Sequence, residues 1–113
     1  MSDNVKTGAE FVKHPTQEGV FMKHFYGKDD TDGRLSNVEI HIVPGFQISS
    51  HKHDDSSEFF YVVSGTGEYM DNGKKTPIKS GDAFKAPAGV VHAIKNIGDE
   101  TLRLFSTFSP PAR

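Results

Sequence analysis

Three histidines and one glutamate have the residue types and the spacing of a divalent metal site. In chain order they are His51, His53, Glu58 and His92. Imidazole nitrogens and carboxylate oxygens are ligands that most first-row divalent metals accept. The sequence contains no cysteine, so disulfide bonds and thiolate ligands are excluded, and any metal must be held by nitrogen and oxygen.

Glycine, proline and asparagine surround these candidates at fixed offsets. The first stretch, residues 45–65, reads Gly45, five residues, His51-Lys52-His53, four residues, Glu58, six residues and Gly65. The second stretch, residues 81–96, reads Gly81, five residues, Pro87-Ala88-Gly89, two residues, His92, three residues and Asn96. A His-x-His pair alone is more often two exposed histidines on a strand. The second stretch adds constraints that a solvated strand would not need, and this favours metal binding.

The elements that must position these residues are predicted to be short β-strands. Eleven glycines and six prolines punctuate the chain, and no stretch of helical length shows a sustained 3.6-residue apolar period. Strands are predicted at Val20–Tyr26, Leu35–Val43, Gln47–Lys52, Glu58–Ser64, Glu68–Asp71, Lys75–Lys79, Ala83–Lys85, Val91–Asn96 and Leu102–Phe108. Asn72-Gly73 is the strongest hairpin signal, and the first dozen residues and Ser109–Arg113 are expected to be loose ends. The pattern predicts an all-β antiparallel sandwich or small barrel.

Strand geometry brings the candidate ligands together. His51 and His53 are two residues apart, so their side chains point to the same face of a strand, about 7 Å apart along the chain. The turn over residues 54–57 returns the chain antiparallel and puts Glu58 across from the pair. His92 must arrive from a strand far away in sequence. A closed sheet makes that meeting possible, so we expect one site.

Both stretches resemble the two conserved motifs of the cupin superfamily, and every fixed position of both motifs is matched. The resemblance implies a double-stranded β-helix, also called a jelly-roll barrel, with His51, His53, Glu58 and His92 as metal ligands inside it. It implies one divalent transition metal, and the ligand types do not choose among Mn, Fe, Ni, Co, Cu and Zn. Glu58 is further expected to act in catalysis as a ligand that can loosen.

The side chains around the metal follow from strand parity. If the ligands face the interior, residues two positions away on the same strand face it too. This places Gln47 and Ser49 inside and Ile48 outside, and it places Phe60 and Val62 inside. The residues predicted to line the substrate pocket are Gln47, Phe60, Phe84, Ile94 and Phe105. A mostly apolar wall with a metal and one amide predicts a small organic substrate that is bound through oxygen atoms.

The strand that carries the candidate glutamate is apolar on both faces. Phe59, Tyr61 and Val63 are predicted to point outward. Such a face must be covered either by the N-terminal strand, with Phe21 and Phe25, or by a second subunit. Because 113 residues leave little spare chain to cover a sheet, and because small cupins are generally dimers, a homodimer is favoured.

Length and charge limit the possible functions. The 113 residues are predicted to form one domain, residues 1–113, with a single site. With 13 basic and 15 acidic residues the formal charge is -2, which offers no basic face for nucleic acid and no polybasic segment for a membrane surface. The N-terminal residues lack the apolar run of a signal peptide, and no stretch has the length of a membrane span. A cytoplasmic location is therefore expected.

Two functions remain open at this level. The first is a metalloenzyme with isomerase, lyase or dioxygenase chemistry on a small oxygenated molecule, such as a sugar acid, a keto acid or a dicarbonyl compound. The second is a metal-bearing binding or sensor module that holds a ligand without turnover. A metal-free structural barrel is disfavoured because packing does not require all four ligand types. His14, His24 and His41 are interpreted as ordinary residues without a part in the site.

The end of the chain carries one further resemblance. Phe108-Ser109-Pro110-Pro111 is similar to the ending of small cupins that act on unsaturated uronates from pectin and alginate. Those proteins have an acidic residue before this phrase and an arginine after it, where this chain has Ser106 and Ala112. The uronate activity is therefore not transferred to this sequence.

Overall fold

The computed structural model describes residues 2–112, which form ten β-strands and no helix. The strands are β1 (Val12–Lys13), β2 (Val20–His24), β3 (Ser36–Ile42), β4 (Gln47–His51), β5 (Ser57–Ser64), β6 (Thr66–Asp71), β7 (Lys74–Lys79), β8 (Ala83–Ala86), β9 (His92–Asn96) and β10 (Leu102–Ser109). Every pair of neighbouring strands is antiparallel. The predicted all-β class is confirmed. Within the same range, no helix has the length and apolar character needed to cross a membrane.

The ten strands form two sheets around one hydrophobic core. The six-stranded sheet has the order β1-β2-β3-β10-β5-β8, and the four-stranded sheet has the order β4-β9-β6-β7. Both sheets contribute to the core, for example Ile40 and Leu104 from the first, and Ile48 and Ile94 from the second. Because residues alternate between the two faces of a strand, strands such as β3 and β5 present every second side chain to this core. The space between the sheets is therefore where a buried site can form.

Turn chemistry accounts for two of the connections. Asn72 and Gly73 join β6 to β7 with φ angles of 47° and 78°, as the positive-φ hairpin turn predicted for Asn-Gly requires. Gly65, the last residue of the first motif, has a φ of 95°, and a Cβ built there would lie 2.8 Å from the carbonyl oxygen of Thr101. The motif therefore needs glycine at this position both for the backbone angle and for the close approach of a neighbouring strand.

Two predictions about the strands are wrong. Part of the expected N-terminal loose end is β1, which pairs with β2 through Val12 and Lys13; a two-residue strand with exposed side chains carries no apolar alternation that could reveal it. On β4, Ile48 is buried and Gln47 is exposed, the reverse of the prediction. The register of β4 against β9 shifts between Ile48 and His51, so the parity of the ligand does not extend back along the strand.

The outward residues of β5 form an exposed apolar surface. Phe60 is buried, whereas Phe59 and Tyr61 are 47% and 49% exposed, as their alternation predicted. Phe105 of β10 lies opposite Tyr61 and is also exposed. We call the set of Phe59, Tyr61, Val63 and Phe105 the outer patch. Phe25 of the N-terminal segment contacts the ring of Phe105 at a centroid distance of 6.1 Å, yet the patch stays exposed in a single chain.

Candidate metal centre

The two sheets each supply part of the candidate site. His51 ends β4 and His92 begins β9, and these two residues are register partners in the four-stranded sheet. Glu58 lies near the start of β5 in the six-stranded sheet, and His53 lies in the connection between β4 and β5. Because β4 leads directly into β5, one short connection carries the chain from one sheet to the other and places three of the four residues.

The ligand atoms of the four residues converge. One nitrogen from each of the three histidines and one oxygen of Glu58 all lie within 4.8 Å of one another. The Nε2 atoms of His53 and His92 are 3.6 Å and 3.5 Å from the Oε1 atom of Glu58. Adjacent ligands of an ion with bonds of about 2.1 Å are separated by about 3 to 3.5 Å. The group is therefore positioned for metal binding.

Two of the imidazoles are oriented by backbone carbonyls. Nδ1 of His51 donates to the carbonyl oxygen of Ser49 over 2.8 Å, and Nδ1 of His92 donates to that of Val90 over 3.2 Å. Since a carbonyl can only accept, each ring carries a hydrogen on Nδ1, and its neutral form has the lone pair on Nε2. His92 is only 1% exposed, and among residues 2–112 its Nε2 atom has no hydrogen-bond partner. A buried nitrogen in this state is what a bound cation would satisfy.

Glu58 is held from its other side by a serine. It is 3% exposed, and its Oε2 atom accepts a hydrogen bond of 2.5 Å from the hydroxyl of Ser106, which is completely buried on β10. A charge-assisted bond of this length is strong and directional. Ser106 therefore fixes one carboxylate oxygen and leaves Oε1 directed at the imidazoles.

The pKa of the third imidazole, His53, is shifted by burial and by neighbouring side chains. Burial lowers the pKa of His53; Glu58 acts in the opposite direction, and the neighbouring His51 and His92 lower it further. A lowered pKa keeps the ring neutral at pH 7, and only the neutral ring has a lone pair for a metal. Three neutral nitrogens and one carboxylate oxygen form a donor set that suits a first-row divalent ion.

A cavity of about 460 Å³ opens onto this group. His51, His53 and Glu58 lie on its wall, together with apolar residues of both sheets such as Ile48 and Phe60. Among the described residues that line the cavity, Glu58 is the only one with a carboxylate. A small molecule could therefore reach the candidate ligands from an enclosure with mostly apolar walls.

The predicted pocket residues have mixed positions. Phe60 and Ile94 lie on the cavity wall, and their role in binding a substrate stays a prediction. Phe84 stacks on Phe60 with ring centroids 4.6 Å apart and is one layer removed from the cavity. The positions predicted for Gln47 and Phe105 are wrong, because both side chains are exposed on the outside. The shift in β4 turns Gln47 outward, and on β10 the inward parity belongs to the residues on either side of Phe105.

Sequence reasoning missed the contribution of the N-terminal segment. Seven polar residues of this segment and of β3 line the cavity, namely His14, Thr16, Gln17, His24, Tyr26, Ser36 and Asn37. His24 has the same parity on β2 as the buried Val20 and Met22, and this alternation was the available signal. The interpretation of His14 and His24 as residues without a part in the site is therefore corrected: both are on its wall.

Comparison with known proteins assigns the family. The family described as "Cupin domain" matches residues 38–108, which is more than half of the chain and includes both motifs. The chain therefore belongs to the cupin family. The resemblance noted from the two motifs and the predicted jelly-roll fold are both confirmed.

Three known proteins are similar to this chain in sequence or in structure. The chain is 38% identical over 88 residues to "Oxalate-binding protein" of Thermotoga maritima, covering 77% of this chain and 73% of that protein. It is 31% identical over 93 residues to "Pectin degradation protein KdgF" of Dickeya dadantii, covering 82% of this chain and 80% of the relative. The crystal structure of a "predicted oxalate decarboxylase" from Thermotoga maritima superposes with a TM-score of 0.82 at 28% identity, covering 90% of this chain and 91% of the other.

Proposed function

We propose that this cupin is a metalloenzyme that acts on a small organic acid, with one divalent transition metal held by His51, His53, Glu58 and His92. The observation that carries the proposal is the convergence of these four residues at the wall of a cavity large enough for a small molecule. The buried Nε2 atom of His92, which has no hydrogen-bond partner within residues 2–112, supports a bound cation in particular. The choice among Mn, Fe, Ni, Co, Cu and Zn is left to measurement.

Charge supports an anionic substrate. Three neutral imidazoles and one carboxylate leave a dication with a net charge of about +1. No further carboxylate among the described residues lining the cavity opposes an anion. The name of the Thermotoga maritima relative, an oxalate-binding protein, is consistent with such a ligand. An acid with a carbonyl or hydroxyl group beside its carboxylate fits these conditions, as in keto acids and in sugar acids with a 2-hydroxyl group. A dicarbonyl compound without a carboxylate would instead offer two neutral carbonyl oxygens.

The residues of the chain divide the work at this site. When bound, the metal supplies either a Lewis acid that polarises substrate oxygen or a redox centre, which corresponds to isomerase, lyase or dioxygenase chemistry. Ser106 holds Glu58 so that one carboxylate oxygen faces the site. Phe60 and Phe108 form apolar wall that excludes water from the reacting atoms. Glu58 is proposed to act in catalysis as the ligand whose bond to the metal can loosen.

A second candidate is a binding protein that holds an organic acid without turnover. The name of the 38% identical Thermotoga maritima relative favours it, since that name describes binding and not a reaction. The candidates differ in one observable, which is whether the bound acid is chemically changed.

The first test compares metal-free and metal-loaded protein. We expect gently purified protein to carry about one divalent ion per chain. After reconstitution with each of the six metals in turn, it should bind and convert at least one of oxalate, pyruvate and galacturonate, followed by NMR under air and under nitrogen. Chelator-treated protein should do neither. Binding without conversion would favour the second candidate, and failure to take up any metal would contradict both.

We also propose that the protein is a homodimer in which the outer patch faces a second copy. Contiguous exposed aromatic residues are unusual on a monomer and mark an interaction surface. Tyr61→Glu places a charge in the patch, so we expect sedimentation velocity to give twice the chain mass for the wild type and the chain mass for this variant. Ile97→Glu, at an equally exposed apolar position outside the patch, should remain dimeric. A monomeric wild type would refute the proposal.

The cytoplasmic location stays a prediction.

A further inference from the structure

The turn that follows β1 forms part of the cavity wall and is stabilised by hydrogen bonds to a histidine side chain. Nδ1 of His14 accepts hydrogen bonds from the backbone N–H groups of Thr16 and Gln17, each over 3.1 Å. Backbone N–H groups can only donate, so Nδ1 must carry a lone pair and the ring must carry its hydrogen on Nε2. The side chain of His14 thereby fixes the turn and the starting position of the Gln17 side chain.

Gln17 is tied to the same residue that orients a candidate metal ligand. Its Oε1 atom accepts a hydrogen bond of 3.2 Å from the backbone N–H of Ser49. The carbonyl of Ser49 in turn accepts the Nδ1–H of His51 over 2.8 Å. Ser49 therefore holds the amide of Gln17 on one side and the imidazole of His51 on the other. Both side chains line the cavity, so the amide and the candidate metal centre face the same enclosed space.

The orientation of this amide leaves a donor for a ligand. Because Oε1 of Gln17 is hydrogen-bonded to Ser49, the side-chain NH2 group is the part of Gln17 that remains available to a ligand. Among residues 2–112 this NH2 group has no hydrogen-bond partner. Glu58 is the only carboxylate on the described wall and is already bound by Ser106. An NH2 group can only donate, so it recognises an oxygen atom.

We infer that Gln17 determines ligand specificity by donating a hydrogen bond to an oxygen of an organic acid anion whose carboxylate lies at the four-residue centre. The inference rests on the proposed function and narrows it. The preferred ligand carries an oxygen beyond those at the metal, as a hydroxyl, keto or second carboxylate group. Gln17 is half-buried, and a site with a positioned donor discriminates against ligands that lack an acceptor for it.

Gln17→Glu tests this directly. Glutamate has the same shape and keeps an oxygen for the N–H of Ser49, but it replaces the donor NH2 by a negatively charged oxygen. With protein loaded with the same metal, we expect the dissociation constants of oxalate, pyruvate and galacturonate, measured by calorimetry, to rise more than about tenfold for whichever of them the wild type binds. Metal content and melting temperature should match the wild type.

Gln47→Glu is the matched control. It makes the same chemical change on β4 at an exposed position outside the cavity, so its ligand affinities should equal those of the wild type. Unchanged affinity in Gln17→Glu would overturn the inference and leave the proposed function intact. Loss of metal in Gln17→Glu would overturn it too, because the residue would then act on His51 through Ser49. A metal-loaded wild type that binds none of the three acids would overturn both.

Discussion

Replacement of His51 by alanine is expected to lower the affinity of the protein for its divalent metal by at least about a hundredfold. Losing a hydrogen-bond partner of a metal ligand costs about ten- to a hundredfold in affinity, and losing the ligand itself costs more. The fold should survive, because His51 is half-buried at the end of β4 and its Nδ1 atom contacts only one backbone carbonyl among the described residues. Competition with a chromophoric chelator measures the affinity.

His41→Ala is the matched control for this experiment. His41 is also a half-buried strand histidine, but it lies on β3 and pairs with Glu39, away from the cavity. Its replacement should leave the metal affinity unchanged. Metal binding should raise the melting temperature of the wild type and of His41→Ala, because a ligand that binds only the folded state stabilises it. A His51→Ala protein that keeps wild-type affinity would remove His51 from the ligand set.

Asn96→Ala is expected to lower the free energy of unfolding by about 3 kcal/mol, since a buried hydrogen bond contributes about 1 kcal/mol and three are lost. Asn96 is 1% exposed at the end of β9. Its Nδ2 donates to the carbonyls of Ile42 and Glu100, each over 2.8 Å, and its Oδ1 accepts from the N–H of Gly98 over 2.9 Å. This one side chain ties the four-stranded sheet to β3 and closes the following loop.

Chemical denaturation measures this loss, and Lys95→Ala is its control. Lys95 precedes Asn96 on the same strand and is exposed, so its replacement should change stability by less than about 0.5 kcal/mol. Metal affinity of the folded Asn96→Ala protein should be retained, because His92 lies four residues away at the other end of β9. A decrease of less than about 1 kcal/mol in the free energy of unfolding would show that the asparagine of the second motif does not act mainly in stability.

Several turns and one strand were predictable because they depend on local backbone chemistry. Gly65 and Asn72-Gly73 need positive φ angles, which few other residues adopt, so their turns are visible in the sequence. Alternation on β5 was equally visible, since Phe60 and Phe59 point to opposite faces as the strand period requires. These features depend only on residues that are neighbours along the chain.

The prediction of which side chains face the interior was wrong where the backbone departs from a regular strand. The register shift between Ile48 and His51 could not be anticipated, because it is imposed by pairing with β9 and not by the β4 sequence. The prediction that Gln47 lines the pocket was wrong for this reason. The amide side chains that do line the cavity belong to Gln17 and Asn37, and neither lies in a motif.

The sequence by itself determined the all-β class, the cupin motifs and the identity of the four candidate ligands. The all-β class follows from strand period and turn chemistry, which are local properties, whereas the ligand set rests on residue type and on the resemblance of the two motifs to those of cupins. Only the tertiary structure decided that Ser106 holds Glu58, that Ser49 joins Gln17 to His51 and that the N-terminal segment forms part of the cavity wall. These contacts join residues that are 32 or more positions apart, apart from the bond between Ser49 and His51. They depend on how the two sheets pack, which single-strand periodicity does not encode.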